Sequence, residues 1–431
     1  MKFTNKSKQL LSFFVKNKYI SHVKNNKKTD NILLKLYHDI FDAYQFLQKT
    51  KLNKNNYNNK NNNNNKNIYN LNVKKINSSY EITKPQNFNF KSFPEIVRKH
   101  IDEMSFSEIT YNFSILGRNC KVLFIVEETN VELKLNEFNK YVDNIIMWLY
   151  VLNLYSSKNC ANSLVIYFYF TSLEKILPSS NIFVLDETHV NTAFTTTCPK
   201  DSEIVIFRKE EWFKVFIHET FHNFGLDFSD MNNDNCHKYL LSIFNVKSFV
   251  NAYEAYTEFW AEIINCCFCS FHLLVDKEDT REFLEHVEIL INFERSYSFF
   301  QLVKTLDFMG LDYTNLYSND NHSKIVRNTL YKEKTNVLAY YVLKTILMNN
   351  YQEFLLWCDK NNMSLIAFKK TISNQNKFCE FISNHYKKKN MIDNIENTKK
   401  FINKLHLSKK ITKNMRSFLL SNLRMTICEL G

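Results

Sequence analysis

Residues 218 to 222 read His218-Glu219-Thr220-Phe221-His222, and this spacing narrows the folds open to the chain more than any other stretch. On a helix, histidines four residues apart stand one turn along the same face, so both imidazoles reach one ion. Glu219 falls between them on nearly that face, placed to deprotonate a metal-activated water. The chain must therefore supply a helix here and, against it, a second element carrying a further ligand. Five-residue patterns also arise by chance, in about two chains per hundred of this size and histidine content, so the surroundings decide.

Those surroundings are structured on both sides. Ile109 to Ile115 and Lys121 to Val126, separated by Gly117-Arg118-Asn119, alternate as a strand pair. Phe138 to Tyr155 has helical spacing, Leu164 to Phe170 is an aromatic and β-branched strand, and Val190 to Thr196 and Glu203 to Phe207 read as strands just before the motif. From Phe249 onward the apolar periodicity is helical, through 250–275, 281–308, 334–349 and 351–358. Residues 7 to 48 read as two helices, and Lys51 to Asn72 is almost entirely Asn and Lys, a low-complexity linker expected to be disordered.

Charge is concentrated at the ends. The net charge is +12, but residues 1–79 contribute +13 and 380–431 contribute +7, leaving −8 for the region that holds the motif. The ends offer a weak contact to nucleic acid or an anionic surface, although a solvated charged tail is the commoner explanation. The scarcity of glycine and proline, four of each, beside abundant Asn, Lys and Ile is the codon bias of an AT-rich genome such as a large DNA virus. Ten scattered cysteines form no CxxC knuckle and are expected to be reduced and buried. Neither a secretory signal nor a stretch of about 20 apolar residues is found. The expectation is an intracellular, cytoplasmic protein, with virion association compatible.

A catalytic zinc takes three protein ligands and keeps one open position. Gly225 matches the glycine of HExxHxxGxxH, but Phe228 holds the ligand position, which removes the metzincin pattern. Glu254, Glu258 and Glu262 lie at i, i+4 and i+8 on one face of a following helix whose other faces are aromatic and apolar. Like charges at that spacing destabilise a helix, so the row points to a cation in front of it. Asp227, His237 and Cys198 are rival ligands.

HETFH with Glu258-Phe259-Trp260-Ala261-Glu262 downstream resembles the gluzincin metallopeptidases of the zincin superfamily, over about residues 190 to 265. The resemblance implies one Zn²⁺ per chain on His218, His222 and Glu258, Glu219 as general base, and Glu262 as the acid that orients a ligand histidine. Glu254, with Glu258 behind it, satisfies the same spacing, and Ala261 favours Glu258. Tyr340, Tyr341 and His322 are candidates for the donor that stabilises the oxyanion, and Val190 to Thr195 for the strand on which an extended peptide or protein substrate pairs.

The fold expected is α+β: a zincin-like mixed sheet with the HExxH helix, followed by a mainly helical subdomain. In chain order this gives a basic helical segment (1–50), the linker (51–79), a small β-containing region (80–135), the zincin N-terminal subdomain (136–248), the helical subdomain with the third ligand (249–385) and a basic helical tail (386–431). The function implied is zinc-dependent peptide hydrolysis, a hydrolase of the metalloprotease class. The alternative is an inactive zincin-like structural or interaction protein whose basic ends contact nucleic acid.

Overall fold

The computed structural model describes residues 1–57, 68–87, 92–408 and 411–431. Six strands, β1 (Asn70–Lys75), β2 (Ser107–Ile115), β3 (Arg118–Val126), β4 (Ser163–Phe170), β5 (Ala193–Thr195) and β6 (Asp201–Ile206), form one open mixed sheet in the order β1-β2-β3-β4-β6-β5. β3, β4 and β6 run parallel, and the remaining pairs are antiparallel. β2 and β3 form the expected hairpin, turned by Leu116 and Gly117, both at positive φ.

The helices up to the motif are α1 (Asn5–Lys16), α2 (Lys27–Tyr57), α3 (Glu95–Met104), α4 (Leu135–Tyr155), α5 (Glu187–Val190) and α6 (Trp212–Asn223). There follow α7 (Asp234–Ile243), α8 (Ala252–Leu273), α9 (Thr280–Met309), α10 (Asn321–Leu330), a π-helical turn at Leu338–Leu343 running into α11 (Lys344–Asn349), α12 (Tyr351–Asn361), α13 (Ile372–His385), α14 (Lys389–Leu407) and α15 (Lys413–Ser421). No helix among the described residues is long and apolar enough to cross a membrane.

Both faces of the sheet are covered, which is why its central strands read as nearly continuous apolar runs. Along β3, Cys120, Val122, Phe124 and Val126 join the large core shared with the helices, while Leu123 and Ile125 join a smaller one with Phe93, Val97 and Ile101. The N-terminal helices are built into the fold. Leu10, Phe14, Leu33, Leu36, Tyr37 and Ile40 are buried in the large core, and α2 packs on α4, α8, α9 and α12. Lys51–Tyr57 belongs to α2 and Asn70–Lys75 to the sheet, so both ends of the expected linker are built into the fold, and 58–67 lie outside the described residues.

The basic tail is also corrected. After α15, residues 422–430 are buried. The Glu211 carboxylate accepts backbone N–H groups from Met425 and Thr426, and Glu294 accepts those of Ile427 and Cys428. This strap meets the motif helix at its N-terminal end, where Glu211 N–H donates to Glu429.

Four of the ten cysteines are paired, Cys160 with Cys198 and Cys236 with Cys379, against the expectation that all are reduced. Separations of 38 and 143 residues carry no local signature. Cys266, Cys267 and Cys269 are free and buried as expected. Loop-closure entropy puts the Cys160–Cys198 bond at about 3–4 kcal/mol. Cys198→Ser should lose an amount of that order in denaturant unfolding, and an unchanged midpoint would show the bond to be absent.

Candidate metal centre

Helix α6 has two working faces. Thr220 and Phe221 turn toward α4, where the Trp148 indole N–H donates to Thr220 Oγ1 at 2.8 Å and the Trp148 and Phe221 rings stack. His218, Glu219 and His222 are left on the side toward α8. The helix ends in a Schellman cap: Leu226 N–H donates to Phe221 O at 2.8 Å and Gly225 N–H to His222 O at 3.0 Å, with Gly225 at φ +65°. That left-handed turn, which glycine adopts without strain, reverses the chain. Asp227 comes back onto His222 Nδ1. Asn223 donates to Thr195 Oγ1 at 2.8 Å and to Ser202, fixing the helix end to β5 and β6.

Helix α8 presents its acidic row to cations in the protein interior. Glu254 Oε2 lies 3.2 Å from His218 Nε2 and 3.5 Å from His222 Nε2, and the two Nε2 atoms are 3.2 Å apart. Four ligands at 2.0–2.1 Å around a tetrahedral ion stand about 3.3–3.4 Å from one another, so the three atoms already sit at the corners such an ion requires. His218, His222 and Glu254 form the metal-competent cluster among the described residues.

The cluster follows the alternative register of the acidic row. Glu254, not Glu258, joins the imidazoles. Glu258 lies 2.8 Å from His218 Nδ1 and accepts from Lys214, while Glu262 sits 3.3 Å from Lys344 and orients neither histidine. Each imidazole has its Nδ1 against a carboxylate, Glu258 for His218 and Asp227 for His222. With protons directed to those carboxylates, both Nε2 lone pairs and Glu254 Oε2 converge on one space. Three acceptors facing one another call for a cation, and two imidazoles with a carboxylate suit zinc.

Without an ion, the facing carboxylates favour protons on the imidazoles in its place. Burial lowers the proton affinity of both histidines, but Glu254 and Glu258 hold His218 above the ordinary histidine value, and Asp227 with Glu254 holds His222 well above it. Burial opposes ionisation of Glu254, yet His222 and His218 keep it below the usual carboxylate range. Burial pushes the Glu219 carboxyl up, against the pull of His218 and His222.

Glu219 lines a small cavity of about 30 Å³ with Tyr340, Met425, Thr192 and Ala193. Tyr340 lies in the π-helical turn, a feature common at functional sites, and its hydroxyl donates to Glu254 Oε2 at 3.0 Å. Tyr341 donates instead to Leu423 O, and His322 faces solvent. Of the rival ligands, Asp227 acts on His222, Cys198 is in a disulfide, and His237 packs on Phe249 in α7. Lys214 was missed as a contributor. Its signal was a lone lysine in an apolar helix, one turn before His218.

Two segments meet beside the cavity. Lys334 N–H donates to Leu185 O at 2.8 Å and Thr335 Oγ1 to Asn191 Oδ1 at 2.7 Å. Beside them, burial lifts Glu333 to about 7. A carboxyl that binds its proton more tightly folded than unfolded contributes its stability fully below the unfolded value, and loses it as pH rises through 7. Between pH 5 and 8 this group should cost the fold roughly 1–3 kcal/mol. Glu333→Gln should flatten that slope in chemical denaturation, and identical slopes for the two proteins would contradict it.

Comparison with family models, with curated proteins and with solved structures found no match to this chain.

Proposed function

We propose that this protein is a zinc-dependent peptidase of gluzincin-like design, with His218, His222 and Glu254 as ligands and Glu219 as general base. The observation that carries the reading is the convergence of two Nε2 atoms and one carboxylate oxygen at 3.2–3.5 Å, with Glu219 beside them. Two further features support it: the sheet has a short antiparallel edge strand next to the motif helix, and a helical region supplies the third ligand.

Zinc, when bound, supplies a Lewis acid that polarises the scissile carbonyl and acidifies water. The other tasks belong to the chain. Glu219 takes the proton of the attacking water and passes it to the leaving amine, for which its raised proton affinity suits it. Tyr340, on the same cavity, would turn its O–H from Glu254 Oε2 to the oxygen of the tetrahedral carbon. Lys214 and Glu258 hold His218, and Asp227 holds His222. β5 pairs with β6 on one side only among the described residues, leaving an edge on which an extended peptide can add.

A cavity of about 30 Å³ holds one water and no peptide. A peptide that reaches Glu219 must displace part of the wall formed by Asn191, Thr192, Ala193 and Tyr340. So small a site also suits a metal-binding protein without activity, but metal binding alone has no need of Glu219. Incubating the full chain with a peptide library and sequencing the new termini tests the reading. Cleavage that chelation stops and zinc restores is expected, and cleavage indifferent to chelation would refute it.

A further inference from the structure

We propose that the cavity between the α1–α2 connection, α9 and α14 binds a small molecule carrying a phosphate group. It has a volume of about 510 Å³ and shares no lining residue with the metal centre. That size lies within the range of small-molecule sites, and the inference rests on no part of the peptidase reading.

Arg295 lines this cavity. It is 2 % exposed, and a guanidinium keeps its charge in a protein. Among the described residues it has no carboxylate partner; Nη2 donates to Ser21 O, and Nε has no partner. Arg424, equally buried, holds Glu429 at 2.9 Å. Burial holds the Arg295 guanidinium below its usual value, and only the phenols of Tyr351 and Tyr19 oppose that. A buried charge without a counter-ion is costly, and evolution of an isolated chain has no reason to keep one lining a cavity.

The rest of the lining has the same sign. Lys18, Lys400 and Lys404 line the cavity with Arg295, and among the described residues no aspartate or glutamate does. Four cationic groups without an acid match a dianion, and the planar fork of arginine suits phosphate oxygens. A free phosphate would leave most of 510 Å³ empty. Tyr19 and Phe401, stacked with centroids 4.3 Å apart, form an apolar wall for the organic body of the ligand.

The test is calorimetric titration of the full chain with adenosine monophosphate, inorganic phosphate and adenosine. Adenosine monophosphate should bind saturably and more tightly than either of the others. Lys400→Gln with Lys404→Gln, both exposed and expected to leave the circular dichroism unchanged, should weaken it at least tenfold, and Arg295→Gln by at least as much where that variant folds. Absence of saturable binding, or equal affinity in the lysine double variant, would overturn the proposal. Inorganic phosphate binding as tightly as the nucleotide would assign the site to the free ion and overturn the part given to an organic ligand.

Discussion

Glu219→Gln should leave a folded protein that still holds one zinc but hydrolyses peptide bonds at least about 10³-fold more slowly, within the range for loss of a positioned general base. The substitution keeps the volume of the side chain and removes its basicity. Glu219 is 7 % exposed, lines the cavity beside Tyr340, and is not one of the three converging ligands. Metal content should therefore be unchanged while kcat/KM collapses on the best peptide found by library cleavage. Activity equal to that of the parent protein would remove Glu219 from the mechanism. Joint loss of zinc and activity would make it part of the metal cluster.

Glu254→Ala and Glu258→Ala should separate into two different failures. Loss of Glu254 removes a ligand, and zinc affinity should fall by more than the 10–100-fold typical of losing a group that only orients one. Loss of Glu258 should cost zinc affinity within that typical range, because His218 Nδ1 loses its partner at 2.8 Å. It should also strand Lys214, which is 2 % exposed and lowered by burial apart from Glu258 and the neighbouring acids that raise it. Breaking a buried pair on one side costs about 3–5 kcal/mol, so Glu258→Ala should be the less stable variant even without zinc. Chelator competition and denaturant unfolding read the two effects separately. A greater loss of affinity in Glu258→Ala would restore the other register.

The reason this register was not legible lies in the helix itself. Glu254, Glu258 and Glu262 share one face of α8, and helical periodicity says nothing about which turn stands opposite His218. That is fixed by the axial position of α8 against α6, a tertiary quantity. Ala261 did not settle it, because Ala255 is buried just as completely one residue after Glu254. The motif helix, the hairpin of β2 and β3, β4, β6 and the long helices α8 and α9 were legible because each carries its own apolar period.

Elements defined by distant partners were not. The run Val190 to Thr196 alternates like a strand, but α5 takes up Val190 and only Ala193–Thr195 pairs with β6. Asp227 looked like a ligand one residue out of place until the cap at Gly225 turned it onto His222. The lysines of α1 and α2 obscured the apolar faces that dock into the main core. Charge counting likewise treated the C-terminal segment as a tail, although Arg424 and Glu429 pair with each other inside the protein.

Anomalous diffraction at the zinc edge, on crystals of the full chain purified without chelator, would locate the ion and its ligands in one measurement. One peak is predicted, within about 2.2 Å of His218 Nε2, His222 Nε2 and a Glu254 carboxylate oxygen, with Glu258 against His218 Nδ1. A folded protein with no peak there, or a peak ligated by Glu258 with Glu254 turned away, would contradict it.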